Sequence, residues 1–337
     1  MNTTARKIVY CAIVVSVMVL LGASLFLRRE PGSVTFTRQL MGTLVQITLM
    51  DGDEDRYRPA ADAAFDEIAR LEGLFSSYQA DSDVSRLSRA AGKHAVRVSP
   101  EVMEVVKEAL HISRISGGAF DPTVGALAGA WGYSGEKGYV PSKEEVERLL
   151  PLVDYTAVKV DEKDGTVMLG KEGMVINLGG VAKGFIVKKA IGVLTSHGMR
   201  RGIVHAGGDM TVFQTGGERP FIIGIQHPRR KKKLLGEIFV TNGAVATSGD
   251  YERFFMKDGV RYHHILDPAT GFPARASRSA TVTSVDPTEA DALSTAVFVM
   301  GPGAGMELIE RLDGVEGVVV DTGGKVHTSS GFKGKIF

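Results

Sequence analysis

The chain has 337 residues, 44% of them hydrophobic and 23% charged, with a formal net charge of +1. That composition is globular with ample material for a core. The near-neutral balance argues against nucleic acid as the main partner, because phosphate-tracking surfaces leave a basic excess. One cysteine, Cys11, excludes an internal disulfide and metal capture by thiolates.

Residues 8–27, IVYCAIVVSVMVLLGASLFL, carry no charge and have the length a helix needs to span a bilayer. Arg6 and Lys7 precede the run; Arg28, Arg29 and Glu30 follow it. A cleaved signal has a shorter apolar region and a small-residue cleavage site, for which GAS at 22–24 is a weak match. No cysteine follows for lipid attachment. The reading is an uncleaved anchor within residues 1–30, with a cleaved signal as the alternative, exporting a domain of residues 31–337. Basic residues on both sides leave the positive-inside rule undecided.

Pro31 and Gly32 lead out of the apolar segment. Residues 34–50, VTFTRQLMGTLVQITLM, alternate as strand with a turn or bulge at Gly42. Ala61, Phe65, Ile68, Leu71 and Phe75 fall at helical spacing, predicting a helix over 59–75. SSYQADSDVSRL reads as a polar loop entering a short turn. Ser99-Pro100-Glu101 caps a helix to about Ser116, and Ser142 with Glu145 begins a third. AVKV and TVML flank a hairpin at Asp164-Gly165, and MVINL reads as another strand. A helix follows from about Val181 to Ser196. Strands are predicted at 202–206, 221–226, 236–241, 262–266, 279–285 and 316–320. The basic run HPRRKKK at 227–233 reads as a solvated loop, with anionic lipid or an acidic partner as the second reading. Helices and strands interleave without a βαβ rhythm, so the fold class is α+β with largely antiparallel sheets.

The last helix opens with Asp286-Pro287 as cap and first turn, Glu289 as a capping-box partner, and stops at Gly301. Leu293, Ala296, Val297 and Met300 form its core stripe, while Asp291 and Thr295 share another face with Phe298. One carboxylate and one hydroxyl, a turn apart, read either as surface decoration or as two oxygen ligands aimed at one point. They are too few for a tight Ca²⁺ site. Mg²⁺ takes few protein ligands together with water and substrate phosphates, and a carbonyl of the glycine turn near Gly180 could add a third oxygen.

Other stretches carry chemistry less sharply. INLGGVAKGF ends a strand, turns on glycines and starts a helix with Lys183 in its first turn, where a cation opposes the helix dipole. HAGGDM offers a tight turn with Asp209 as a cap. GAFDPTVGAL places Asp121 before Pro122, as N-cap and N1 of a helix. ATSGDYERFF carries Thr247 and Ser248 in a glycine turn. In YHHILDPATGFPA, two histidines precede a rigid Asp267-Pro268 turn; strand alternation sends them to opposite sides, so only one can serve a given site. Histidine accepts a proton from a hydroxyl near neutral pH.

Taken in order, MGTLVQITL, FSSYQADSDVSRLS, GAFDPTVGAL, INLGGVAKG, HAGGDM, HHILDPATG and EADALSTAVFVMG resemble the signature of the ApbE family, the FAD:protein FMN transferases, over residues 34–337. The resemblance implies an α+β fold related to T-fold assemblies and a Mg²⁺-dependent reaction. FAD is cut at its pyrophosphate, FMN passes to a threonine hydroxyl of an acceptor protein through a phosphoester, and AMP leaves. It implies acceptors such as subunits of Na⁺-pumping quinone reductases or Rnf-type complexes, and a bacterial inner-membrane location with the domain facing the periplasm or cell exterior. By motif position it makes Asp291, Thr295 and the Gly180 carbonyl metal ligands. It makes Met41, Tyr78, Ala119, Phe120, Asp121, Asn177, Lys183 and Ile265 the FAD-contacting set. It makes His264 the base that activates the threonine, leaving His263 structural. Asn177 departs from the family pattern, which often has Asp there; the amide keeps an acceptor and loses the charge. The alternatives are a metal-dependent FAD pyrophosphatase, with water in place of threonine, and an FAD-binding protein without turnover.

Overall fold

The computed structural model describes residues 32–132, 139–216 and 219–337, so the apolar segment 8–27 lies outside the described residues. Residues 34–50 form a hairpin, β1 (Val34–Leu40) and β2 (Thr43–Leu49), turning at Met41 and Gly42 with φ of 53° and 66°. Two successive left-handed residues match the twist of a two-residue hairpin.

Helix α1 (Glu54–Phe75) starts earlier than apolar spacing predicts. Its first turn is polar and is held by Asp53, whose carboxylate accepts the Arg56 N–H at 2.9 Å. Ser82 caps α2 (Asp83–Arg89), which precedes β3 (Val96–Arg97); Ser99 caps α3 (Pro100–Ile115). Helix α4 (Gly125–Trp131) follows, then α5 (Lys143–Leu149), where Ser142 accepts the Glu145 N–H as its motif requires. Strands β4 (Val158–Asp161) and β5 (Thr166–Leu169) pair as expected and, with β3, make a small sheet ordered β3-β5-β4.

MVINL is not a regular strand. Val175 makes a single parallel bridge to Val124, and the Ile176 and Asn177 N–H groups donate to Ser88 Oγ (3.2 Å) and Pro122 O (2.7 Å). The segment threads between loops that satisfy its backbone individually. Helix α6 (Ala182–Ser196) follows, then β6 (Arg201–Ala206), β7 (Asp209–Gln214), β8 (Phe221–Gln226), β9 (Leu234–Val240) and β10 (Gly243–Gly249). A hairpin, β11 (Phe254–Lys257) and β12 (Val260–His263), leads to β13 (Ser277–Ser284), α7 (Pro287–Ile309), β14 (Glu316–Asp321), β15 (Val326–Thr328) and β16 (Gly334–Ile336).

The main sheet has eight strands, all antiparallel, in the order β1-β2-β6-β7-β10-β13-β14-β15. Alternation along its strands builds two cores. Val45, Ile47, Val204, Val282 and Val319 meet the helices, whereas Ile203, Val212, Val245, Val318 and Val320 meet the three-stranded sheet β16-β9-β8 through Phe221, Ile223, Ile225 and Ile238. The α+β class with antiparallel sheets is the architecture observed.

Helix α7 is long and apolar enough to cross a membrane, yet 56% of its most apolar window is buried inside the fold. It is a core helix with no polar face: Asp291 and Phe298 are as buried as Leu293 and Ala296. Gly301 breaks it at φ 77°, ψ −176°, and Pro302 restarts it, so the predicted stop is a kink. Glu289 receives the Ser284 hydroxyl instead of closing a capping box. Where α6 crosses α7, a Cβ on Gly184 would lie 2.0 Å from the Pro287 carbonyl oxygen. That close approach brings the first turn of α6 onto Asp291.

Candidate active site

Two helices and a strand converge on one ammonium group. Lys183, in the first turn of α6, places Nζ 3.0 Å from Asp291 Oδ1 on α7 and donates to Asp209 Oδ2 at the start of β7. The other oxygen of Asp291 accepts the Gly184 N–H at 3.0 Å, one of the amides a helix N-terminus leaves open. Asp291 is 3% exposed and Asp209 6%. Burial and the neighbouring Asp209 push the Asp291 carboxyl above its ordinary range, against Lys183 and the Gly184 amide, which hold it down. Burial alone would lower Lys183; the two carboxylates outweigh it and hold the ammonium above its usual range. Two carboxylates share one cation, which leaves this interior cluster short of positive charge. The dipole argument against Lys183 thus has its answer in Asp209 and Asp291.

Beside this cluster the glycine turn preceding α6 approaches α7. A Cβ on Gly180 would lie 3.3 Å from Thr295 Oγ1 and 3.2 Å from the Phe120 ring. Thr295 Oγ1 also lies 3.2 Å from Ser248 Oγ, which in turn meets Ser294 Oγ at 3.0 Å. The Asn177 side chain accepts the Gly179 N–H at 2.9 Å, so its amide oxygen shapes the same turn. Gly180, Lys183, Asp291, Thr295, Phe120 and Asn177 therefore form one contiguous group. Among the described residues, no three or more His, Cys, Asp or Glu side chains are placed to hold a metal by themselves. The oxygens available are one carboxylate, one hydroxyl and turn carbonyls, a hard set that suits Mg²⁺ sharing its shell with water and phosphate.

The two histidines part as alternation requires. His263 is 2% exposed, its Nε2 donates to Ala274 O at 2.9 Å, and its ring meets Phe298 edge-on at 5.4 Å. His264 is partly buried. Its ring Nδ1 lies 3.3 Å from Arg253 O, which also accepts the His264 backbone N–H at 3.1 Å. A carbonyl only accepts, so that contact puts the proton on Nδ1 and the lone pair on Nε2. Burial first, then the positive charge of Arg253 and the effects of His263 and Lys183, lower His264 to about 4. Its imidazole is neutral at physiological pH.

The other residues that the resemblance singles out have different engagements, and no contact ties Met41, Tyr78 or Asp121 to the Lys183 cluster among the described residues. Met41 occupies the β1–β2 turn, where a Cβ on Gly42 would lie 3.9 Å from the Arg253 guanidinium. Ile265 is buried next to His264, and Ala119 precedes Phe120 in the turn after α3. Tyr78 is 86% exposed on the loop after α1, available to a ligand from solvent. Asp121 does not cap a helix, since α4 starts at Gly125; its Oδ1 accepts the Thr123 N–H and hydroxyl at 2.8 and 2.6 Å, and its Oδ2 the Tyr155 N–H at 3.0 Å. Its side chain is engaged in holding the 121–123 and 154–155 loops together. Asp209 and Ser248 are the members that residue-by-residue reading missed: each appeared as a turn residue in a glycine motif, with no local signal of the partner across the sheet.

With this geometry in place, comparisons locate the chain among known proteins. The family model described as the ApbE family matches residues 41–319. A protein of Treponema pallidum named FAD:protein FMN transferase is 32% identical over 321 residues, covering 88% of this chain and 87% of the relative. One of the same name from Vibrio cholerae is 33% identical over 274 residues, covering 79% and 81%. Among solved structures, the ApbE protein of Thermotoga maritima superposes with a TM-score of 0.82 at 38% identity, covering 88% of this chain and 97% of that one. The flavin transferase ApbE of Vibrio cholerae superposes with a TM-score of 0.77 at 28% identity and the same coverage.

Proposed function

The chain belongs to the ApbE family, and from that premise we propose how it carries out the transfer of FMN from FAD to a protein that its relatives' name describes: onto a threonine hydroxyl, with Mg²⁺, releasing AMP. The observation that carries the reading is the buried Lys183–Asp209–Asp291 cluster, which lacks one positive charge and adjoins the oxygens of Thr295 and the Gly180 turn. Asp291 Oδ1, Thr295 Oγ1 and the Gly180 carbonyl would hold Mg²⁺, with Lys183 keeping its bond to Asp209. Bound there, the ion would neutralise charge on the pyrophosphate.

The protein's own groups then have distinct tasks. Phe120, Met41 and Tyr78 cover the flavin or adenine rings, as apolar walls do in cofactor pockets. Lys183 offers its ammonium to the phosphates, and the amides of the glycine turn face them. His264 Nε2 takes the proton of the threonine hydroxyl. The threonine oxygen bonds to the FMN phosphorus as the bridging P–O bond breaks, and the electron pair leaves with AMP. We place the domain outside the inner membrane, on the strength of the apolar segment 8–27. Acceptors of the Na⁺-pumping quinone reductase or Rnf type match the resemblance.

Incubating the protein with FAD, Mg²⁺ and a threonine-bearing acceptor tests this. The expected result is an acceptor whose mass rises by an FMN phosphoester, with matching AMP. Free FMN as the sole flavin product would make the enzyme a pyrophosphatase, and unchanged FAD would make it a binding protein.

A further inference from the structure

On the side of β12 that His263 faces, away from His264, lies a cavity of about 200 Å³ lined by Arg229, Arg261, Arg275, Arg278 and Asp250, together with His263 and Ser277. None of the residues assigned above to flavin, metal or proton transfer lines it. A second cavity of about 300 Å³ shares Arg229 and Arg278 as walls and adds His227 and Arg230 from the basic run. The loop carrying that run is folded onto this wall: Arg229 forks onto Asp250 with two bonds of 2.6 Å, and His227 Nδ1 accepts the Arg229 and Arg230 N–H groups at 3.0 and 3.1 Å. The run is a solvated loop as expected, with Lys231, Lys232 and Lys233 exposed, and Arg229 reaches from it onto this wall.

Charge in the first cavity does not balance. Asp250 answers Arg229 and, at 3.4 Å, Arg261. Arg275 and Arg278 have no carboxylate partner among the described residues; they donate to the carbonyls of Arg261 and Thr322, and Arg275 also lies over the Tyr262 ring. Two buried polar atoms are also unanswered, His263 Nδ1 and Ser277 Oγ. With Nε2 donating to Ala274, Nδ1 carries a lone pair and needs a donor. A carboxylate offers guanidinium groups acceptors but has no donor for that nitrogen. Hydrogen phosphate, or a monoester in its singly protonated form, keeps one O–H and offers both, and forked guanidinium groups match its oxygens. We propose that this cavity binds phosphate, free or as a monoester, between Arg275, Arg278, Ser277 and His263.

The test uses the full chain in detergent, titrated with inorganic phosphate by calorimetry, with sulfate as the control that lacks an O–H at neutral pH. Phosphate should bind saturably and sulfate more weakly. Arg278→Gln and Arg275→Gln should each weaken phosphate binding by about tenfold, the scale of one charge-assisted hydrogen bond. Their ligand-free unfolding midpoints should match the parent's; if one variant fails to fold, the other carries the comparison. Vesicles with and without phosphatidic acid separate the sources: recruitment that inorganic phosphate competes away and Arg278→Gln abolishes assigns a lipid headgroup, and binding only in bulk solution assigns free phosphate. No saturable phosphate binding, equal response to sulfate, a response unchanged in both variants (an adventitious ion only), or binding confined to an Asp- and Glu-rich peptide overturns the proposal.

Discussion

Acidifying the transfer reaction probes the ionisation of His264. An imidazole at the ordinary value of 6.5 is only ~3% neutral at a pH of about 5, whereas one held at about 4 is ~90% neutral there. The difference in available base is about thirtyfold. The cause lies in the structure: burial, Arg253, His263 and Lys183 all disfavour the imidazolium, while only the Arg253 carbonyl favours it. Ring resonances of His264, identified by their loss in His264→Gln, should therefore titrate near 4 in the protein with Mg²⁺ and FAD withheld. Lys183→Met should move that titration upward by removing a nearby cation. In single turnovers at saturating FAD and Mg²⁺, which under the proposed metal site would hold Asp291 ionised, the rate should stay flat through 6.5, and His264→Ala should lower it by about 10²- to 10⁴-fold. A His264 titration at 6.5 or above, or an undiminished rate in His264→Ala, refutes the reasoning.

Three further outcomes follow from the same geometry. Asp291→Asn removes one of two carboxylates crowding one ammonium and leaves Lys183 paired with Asp209; transfer should fall at least ~100-fold while the thermal midpoint stays equal or rises, and a destabilised variant with intact transfer would contradict this. His263 is held at about 4, mainly by burial, so the unfolded chain binds its proton first as pH falls from about 6.5. Stability is therefore present above 6.5 and lost toward 4, by about 2 kcal/mol at pH ~5 from this group; urea midpoints should show the loss, and His263→Gln should shrink it. Gly184→Ala drives a methyl to 2.0 Å from Pro287 O, so the α6–α7 crossing must open. The cost is about 1–3 kcal/mol, read as a lowered urea midpoint, and weaker FAD binding should accompany it because Asp291 is pushed off the residue-184 amide.

Much of this was legible in the chain because the information was local. Ser99, Ser142 and Asp286 cap the helices they were expected to cap, and the Asp164-Gly165 turn joins the predicted pair. The seven motif blocks in order carried the family, because no single block is specific. What stayed hidden depends on distant partners. Asp209 and Ser248 read as turn residues until β7 and β10 bring them to Lys183 and Thr295. The polar start of α1 has no apolar period to announce it. MVINL has strand composition, yet its neighbours are loops that take its N–H groups one at a time. Asp121 sits in a convincing cap motif, but its oxygens are drawn to Thr123 and Tyr155, a partner that sequence spacing does not reveal.

In the proposed reaction Asp291 exchanges Lys183 for a metal that also touches the flavin nucleotide's phosphates. A crystal structure of the protein with FAD and Mg²⁺ tests that directly. The ion is expected on Asp291 Oδ1, Thr295 Oγ1 and the Gly180 carbonyl, against the pyrophosphate, with His264 Nε2 open to the threonine's approach. An Asp291 carboxylate still bound to Lys183, with the ion and the phosphates elsewhere, would contradict it.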